Sequence, residues 1–491
     1  MDLVRFQNYI DGAFVDTKET YESINPSNGV PWAVIPAASV EDVDRAIGGA
    51  VRAFEAPEWR GLTATQRGKL LIRLGDLVAE HAQELAEIES RDTGKIIRET
   101  RAQIGYVAEY YRYFGGLADK FQGAHVPIDK QDMEVFLRRE PIGVVAAIVP
   151  WNSQLFLSAM KIGPALAAGC TIVLKASDDG PATLLQFARL VEKAGIPKGV
   201  VNIITGYGET AGRALTSDPR IARVSFTGGP ATARHIVRNT AENLSHVTLE
   251  LGGKSPVLVF ADANIESVSN AIVAGIFAAS GQSCVAGSRL YVERPVHDKL
   301  VEILAERARK IKIGDPLELA TEMGPLASSR QRDFIQKTLA DSVEQGAKIV
   351  TGGRIPPGHE KGWYFEPTIV CADENVVPCI KDELFGPVLS IVPFDREDDA
   401  LRLANDSRFG LASGVFTSNV TRAHRIIAKL RAGIVWVNTY RAISPLVPFG
   451  GFGLSGFGRE GGLEALQDYS RTKSVWIRTS DDPIEDPFVM R

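Results

Sequence analysis

The stretch IARVSFTGGPATAR, residues 221–234, decides the fold. Its first seven residues read as a short strand, Gly228 and Gly229 as a turn, and Pro230 as the first residue of a helix, where a missing N–H costs nothing. A strand that passes through a glycine turn into a helix is half of a βαβ unit. The same texture repeats outward from it, in GVVAAIVP (143–150), TIVLKAS (171–177) and VVNIITG (200–206) upstream and SHVTLELGG (245–253) downstream. Each run is short and rich in Val and Ile, and stretches with helical periodicity lie between them. Strands that are apolar throughout are buried on both faces, so the alternation predicts an α/β protein with a doubly wound, Rossmann-like parallel sheet.

A second αβ series begins with PVLVF (256–260), continues through a helix over about 264–279 and RLYVE (289–293), and ends near GIVWVNT (433–439). Before the first series lie a strand pattern with an Asp11-Gly12 turn, a helix over about 40–54 behind Ser39 as N-cap, and longer helical patterns over 62–91 and 95–121. The last contains YVAEYYRYFGG (106–116), whose aromatics read as a packed face between helices. The segment AHVPIDKQDMEVFLRREPIG (124–143) reads as a β-hairpin around the polar turn DKQD. The tail KSVWIRT (473–479) reads as a further strand, of the kind that completes a sheet in a partner subunit.

With 491 residues the chain is long enough for two large domains or three ordinary ones. The hydrophobic fraction of 45% and charged fraction of 23% are those of a soluble globular protein. A formal charge of -5 gives no electrostatic footprint for nucleic acid or an anionic membrane, so neither is expected as a partner. No apolar run has the length of a membrane span and the N-terminus lacks a signal-like apolar region, so a cytoplasmic location is expected. Cys170, Cys284, Cys371 and Cys379 form no CxxC pair or cluster with His; they read as free thiols, with no metal site.

Five places carry possible chemistry. In AASGQSCVAGSR (278–289), Cys284 has small neighbours that let a ligand approach its sulfur, and a cysteine in a tight turn is the equal alternative. The glycine turn after Phe226 offers backbone N–H groups to a phosphate, against a plain strand-to-helix turn. Lys175 and Asp178, at the end of a strand in VLKASDDG, suit the hydroxyls of a ribose, or else a solvated turn. Glu250 in LELGGKSP suits a general base if burial raises its pKa, or else an edge glutamate. Asn152 in VPWNSQLF suits a donor to a developing oxyanion, or else a helix N-cap. All sit at strand ends, where the cleft of a doubly wound sheet would gather them with Cys284; together they describe acyl-transfer and hydride chemistry on a carbonyl.

The combination resembles the NAD(P)-dependent aldehyde dehydrogenase superfamily over nearly the whole chain. PWN at 150–152, MKIGPALAAGC from Met160, FTGG from Phe226, LELGGKSP from Leu249, GQSC from Gly281, ELFGPV from Glu383 and PFGGFGLSGFGRE from Pro448 occur in the family's order. The resemblance implies an aldehyde dehydrogenase-like fold and oxidation of an aldehyde or semialdehyde to its acid, in bacterial catabolism. Cys284 would be the nucleophile, passing through a thiohemiacetal and a thioester. Asn152 with the Cys284 N–H would form the oxyanion hole, Glu250 would be the base for the hydrolytic water, and Lys161 would lie near the active centre. It implies NAD, with NADP as the alternative, held by Trp151, Lys175, Asp178, Gly208, Phe226, Thr227, Gly228, Gly229, Leu251, Glu383 and Phe385. Asp178 stands where NAD-preferring members commonly carry Glu, and the shorter side chain leaves room for a 2′-phosphate.

Ser153 and Met160 stand at positions that are aromatic in members acting on simple aliphatic aldehydes, which implies a wider pocket for a branched, cyclic or functionalised aldehyde. Ser283 belongs to the same pocket, and Arg441 stands in the variable substrate loop, either as partner of a substrate carboxylate or as a surface arginine. The implied organisation is a cofactor domain (1–121 and 141–250), a catalytic domain (251–440), an oligomerisation arm (122–140 and 470–491) and a substrate loop returning to the cofactor domain (441–469). A homodimer or homotetramer is expected. The rivals are a CoA-acylating dehydrogenase, from which Glu250 argues away, and a non-catalytic protein that kept the fold, which the intact set of Cys284, Glu250 and Asn152 speaks against.

Overall fold

The computed structural model describes residues 3–484 and 486–489. Five parallel strands form the centre of an eight-stranded sheet, in the spatial order His246–Glu250, Ile221–Thr227, Val144–Ile148, Thr171–Lys175 and Val201–Ile204. The chain starts at Val144–Ile148, steps outward through Thr171–Lys175 and Val201–Ile204, and then crosses back to the other side. The reversal lies between Val144–Ile148 and Ile221–Thr227, and ligands of open parallel sheets bind beyond the carboxyl ends at such a reversal. Register sets Lys175 level with Ile148, Ile148 with Phe226, and Thr227 with Glu250, so these residues share one end of the sheet. The hairpin Asn8–Ile10 to Ala13–Val15 adds one edge, turning through Asp11 and Gly12 at φ 52° and 77°.

A second sheet of seven strands runs Lys348–Thr351, Thr368–Cys371, Val388–Phe394, Arg289–Glu293, Pro256–Val259, Ala412–Phe416 and Ile434–Val437. All neighbours are parallel except the first pair. Residues 251–255 carry the chain from the carboxyl end of the first sheet to the amino end of the second. The segments 278–288 and 383–387 also lead into amino ends, those of Arg289–Glu293 and Val388–Phe394. The site therefore forms where the carboxyl ends of one sheet face the amino ends of the other; Cys284 and Glu383 come from the amino side, not from a carboxyl-end cleft as expected.

Local chemistry explains the helix boundaries. Ser39 caps Val40–Glu55 in a reciprocal capping box with Asp42, and Thr63 does the same with Gln66 for Ala64–Glu80. The single helix expected over 62–91 is two, because His81 leaves helical geometry (φ -100°, ψ 13°) before Ala82–Thr93; no Gly or Pro marks the break. Gly94 in the left-handed region then ends that helix and Ile97–Leu117 follows. Its aromatics divide: Tyr111 is buried and stacked on Phe187 with centroids 5.9 Å apart, whereas Tyr106 and Tyr110 reach a cavity.

Ala124–Val126 and Met133–Pro141 form the expected hairpin, and Ser470–Arg478 adds along Met133–Pro141 to make a three-stranded antiparallel sheet. One side of the tail strand pairs within its own chain, where nine consecutive residues find an antiparallel register. It forms the edge of that sheet, with Trp476 and Ile477 exposed. Residues 1 and 2 of the expected cofactor domain and 485, 490 and 491 of the expected arm lie outside the described residues.

Candidate active site

Strand Val144–Ile148 ends at the sheet reversal, and the chain turns through Pro150 into a single 3-10 turn, Trp151–Ser153, before helix Gln154–Ala168. This turn buries Asn152. Its side chain is not the helix N-cap of the alternative reading; its Nδ2 donates to the Gln282 carbonyl at 2.9 Å. An amide has two N–H groups, so one remains for a ligand.

The segment carrying Cys284 is held from several sides. After helix Ile265–Phe277, Ala279 and Ser280 take φ 52° and Gly281 takes φ 71°. The Ala279 N–H donates to the Glu99 carboxylate at 2.9 and 3.0 Å, Ser280 Oγ donates to the Gly324 carbonyl at 2.8 Å, and Gln282 Oε1 accepts from the Ala327 N–H at 2.9 Å. A Cβ at Gly281 would lie 2.1 Å from the Gly386 carbonyl oxygen, so only glycine lets the two backbones meet. The small neighbours therefore serve close backbone approach as well as access to the thiol, which is half-buried at a cavity of about 680 Å³.

Trp151, Asn152, Ser153, Met160, Thr227, Gly228, Gly229, Glu250, Leu251, Ser283, Cys284, Glu383, Phe385 and Arg441 all line that cavity. Burial, with the Glu383 and Glu250 carboxylates, pushes the Cys284 thiol up to about 12. The thiol is thus protonated at rest and needs a base. Glu250 is 3% exposed and neither carboxylate oxygen has a partner among the described residues. Burial first, then Glu460, raises its pKa well above the ordinary carboxylate value, against the pull of Lys161 and Arg459. An unpartnered, desolvated carboxylate beside a cavity is a strong proton acceptor.

Lys161 does not reach the cavity. It is fully buried against strand Ile221–Thr227, donating to Glu460 and, at 3.0 and 2.8 Å, to Ser225 and Thr227; Ser225 donates to Glu460 at 2.9 Å. Its ammonium thus balances Glu460, whose charge would otherwise oppose ionisation of Glu250.

Gly252 and Gly253 leave room for Glu383: a Cβ on Gly252 would strike its carboxylate, and the Gly253 N–H donates to it at 2.9 Å. Burial lifts Glu383 to about 7. The Phe385 ring stands edge-on to Trp151 with centroids 5.3 Å apart.

Phe226, Lys175, Asp178 and Gly208 lie outside this cavity. Phe226 is buried in the core, its ring where a Gly228 Cβ would be, so it shapes the glycine turn and does not face a ligand. Gly229 precedes helix Pro230–Ala241 with no side-chain cap and open space above it, leaving first-turn N–H groups for a phosphate. Lys175 is buried with the Ala176 carbonyl as acceptor, Asp178 is exposed, and Gly208 opens a π-helical turn with nothing above it. These features fit a dinucleotide running from Lys175 past Gly229 to Glu383. Sequence reading missed Lys95, Glu99, Gln103 and Glu460; of these only Glu460, closing the glycine-rich run from Pro448, carried a local signal. Among the described residues no group of three His, Cys, Asp or Glu side chains is placed to hold a metal ion.

Residues 14–475 match the model of a family described as "Aldehyde dehydrogenase family". A relative from Acinetobacter baylyi, named (Z)-2-((N-methylformamido)methylene)-5-hydroxybutyrolactone dehydrogenase, is 58% identical over 99% of this chain and 100% of its own. Among solved structures, PnpE in complex with nicotinamide adenine dinucleotide, a protein of Pseudomonas sp. WBC-3, is 43% identical with TM-score 0.96, covering 98% of this chain and 99% of that one. Betaine aldehyde dehydrogenase from Staphylococcus aureus in complex with NAD+ is 38% identical with TM-score 0.96, over 99% of this chain and 96% of that one.

Proposed function

We propose, for a chain that belongs to the aldehyde dehydrogenase family, that the aldehyde it oxidises is a semialdehyde or its cyclic hydroxylactone form, released as a free acid by hydrolysis on Cys284. Oxidation of an aldehyde with NAD as cofactor follows from the family, its named relatives and its NAD-bound structural neighbours. The observation that carries the hydrolytic reading is Glu250: a buried carboxylate with no partner among the described residues, lining the same cavity as Cys284.

Glu250 takes the thiol proton, the Cys284 sulfur adds to the aldehyde carbon, and the oxygen gains negative charge that Asn152 Nδ2 and the Cys284 N–H receive. NAD, which Lys175, the Gly229 turn and Glu383 would hold, would supply the acceptor for the hydride of that carbon, and loss of that hydride would turn the adduct on Cys284 into a thioester. Glu250 releases its first proton to solvent, takes another from water as the water adds to the thioester, and passes that proton to the departing sulfur as collapse releases the carboxylic acid. Each donor to the oxyanion is worth about 3–4 kcal/mol in such a site.

The relative's printed substrate supports the semialdehyde reading. A 5-hydroxybutyrolactone is the ring form of a four-carbon chain with an aldehyde at one end and a carboxylate at the other. Arg441 lines the cavity, with one nitrogen donating to the Ala274 carbonyl at 2.8 Å, and is the proposed partner of that carboxylate. The domain organisation given above is proposed as it stands, with the arm as the surface of a homodimer or homotetramer; exposed Trp476 and Ile477 on its edge strand support it. No helix among the described residues is long and apolar enough to cross a membrane, and a cytoplasmic location is proposed.

The test is NADH formation, without CoA, across aliphatic, aromatic and carboxylate-bearing aldehydes, with Cys284→Ala beside it. Turnover that needs CoA, or that survives Cys284→Ala, overturns the reading.

A further inference from the structure

The cavity wall beside Cys284 is largely apolar, formed by Tyr110, Phe156, Leu157, Met160, Val285 and Phe449. One corner breaks this pattern. Lys95 is 6% exposed and its Nζ donates to Ser153 Oγ at 2.8 Å, to Gln103 Oε1 at 2.8 Å and to Glu89 Oε1 at 3.3 Å. Gln103 Nε2 donates to the same Ser153 Oγ at 3.2 Å, and Ser153 donates onward to the Asn152 carbonyl at 2.6 Å. Lys95, Gln103 and Ser153 all line the cavity that Cys284 lines.

A buried ammonium is costly unless paired, and Glu89 supplies the pairing from behind. A helix tie would need nothing more. Here the cluster instead presents polar atoms to a ligand-sized space, through a serine one residue beyond the oxyanion donor. The count of donors is uneven. Lys95 spends its three on Glu89, Gln103 and Ser153, whereas Gln103 Nε2 spends one of its two N–H groups and has one left. The free N–H, beside the positive charge of the ammonium, makes a site for an acceptor oxygen separate from Arg441, in a part of the wall that is otherwise apolar.

We propose that Lys95, Gln103 and Ser153 form the subsite for an acceptor oxygen, carboxylate or amide carbonyl, on the part of the substrate remote from the aldehyde. Building on the function proposed above, this subsite selects functionalised aldehydes, and Ser153 is what opens it: a ring at that position would stand between Gln103 and the substrate. The apolar remainder of the wall carries the intervening carbons.

The experiment compares hexanal, 6-oxohexanoate and its amide with NAD, in wild type, Gln103→Leu, Gln103→Glu and Ser153→Phe. The wild type favours the two oxygen-bearing substrates over hexanal in kcat/KM. Gln103→Leu and Ser153→Phe shrink that ratio by about tenfold or more, the loss of one buried hydrogen bond to a polar substrate. Gln103→Glu separates the two sources, since it penalises the carboxylate more than the amide. Protection of Cys284 from iodoacetamide by adipate against hexanoate, without cofactor, reads the same contact with no turnover: adipate protects at lower concentration, and Gln103→Leu removes the difference. Variants that keep their thermal midpoints with both ratios unchanged overturn the subsite. Preferential protection by adipate in a protein that oxidises none of the aldehydes overturns the proposed function and leaves the subsite standing.

Discussion

The Asn152 side-chain amide donates to the Gln282 carbonyl across 2.9 Å, joining the reversal of the first sheet to the segment that carries the nucleophile. One N–H thus holds the active site together while the other faces the reacting oxygen. Asn152→Ala removes both. Turnover is expected to fall about 10²- to 10³-fold, with cofactor binding measured by fluorescence retained. A fall of less than about threefold would remove Asn152 from the oxyanion hole.

Glu250→Gln tests the base in both acylation and hydrolysis. Steady-state NADH formation is expected to drop about 10²- to 10⁴-fold. Acylation slows as well, since Glu250 is also the base for the thiol, and any acyl adduct that forms through the residual thiolate should persist on Cys284, visible as added mass on the intact chain. Loss of turnover with no adduct, at any time after mixing, would assign Glu250 to thiol activation alone.

Alkylation of Cys284 reads its protonation directly. The thiolate is the reactive form, and with a pKa near 12 its fraction grows as pH rises. In protein without cofactor, iodoacetamide modification at Cys284, followed by peptide mass, should quicken about tenfold per pH unit between pH 7 and 10. A plateau near pH 7 would mean the thiol is not held protonated.

Glu383 links stability to pH. Its carboxyl is lifted from 4.5 to about 7 by burial, so the folded state holds the proton more tightly than the unfolded chain. The stability it contributes is present in full below pH 4.5 and is lost as pH rises through 7. Glu383→Gln, which never ionises, should therefore gain thermal midpoint over wild type at pH 8 and show little difference at pH 4.5. An equal change at both values would refute the burial argument.

Cofactor choice turns on Asp178 and its neighbour. Asp178 is exposed, and Asp179 beside it is raised by burial and by Asp178 itself. A 2′-phosphate would meet that negative charge. Asp178→Ser is expected to raise kcat/KM for NADP about tenfold, roughly 1.4 kcal/mol, with a smaller loss for NAD. Unchanged NADP use would show that Asp178 does not face the ribose.

Local rules made much of the fold readable. The Val- and Ile-rich runs became the strands expected of them, because strands buried on both faces leave an unbroken apolar trace. Ser39 and Pro230 marked helix starts through chemistry confined to a few residues. The site was readable where backbone demands glycine, as at Gly281 and Gly252, and where motifs repeat a family pattern. Lys95 and Gln103 were not, since their partner Ser153 lies 58 and 50 residues away and nothing near them in sequence announces the contact; Glu460 closes a legible motif, but its partner Lys161 lies 299 residues away. The His81 break and the home of the tail strand were hidden for the same reason: long-range packing chose among locally equal options.

Because the thiol arrives on the amino ends of one sheet and the cofactor turn on the carboxyl ends of another, neither half holds a working site alone. Rate therefore gauges how closely two bodies are aligned, while spectra gauge each body separately. On gentle warming, activity should fade while the circular dichroism signal still looks native, and slow cooling at that stage should bring the activity back.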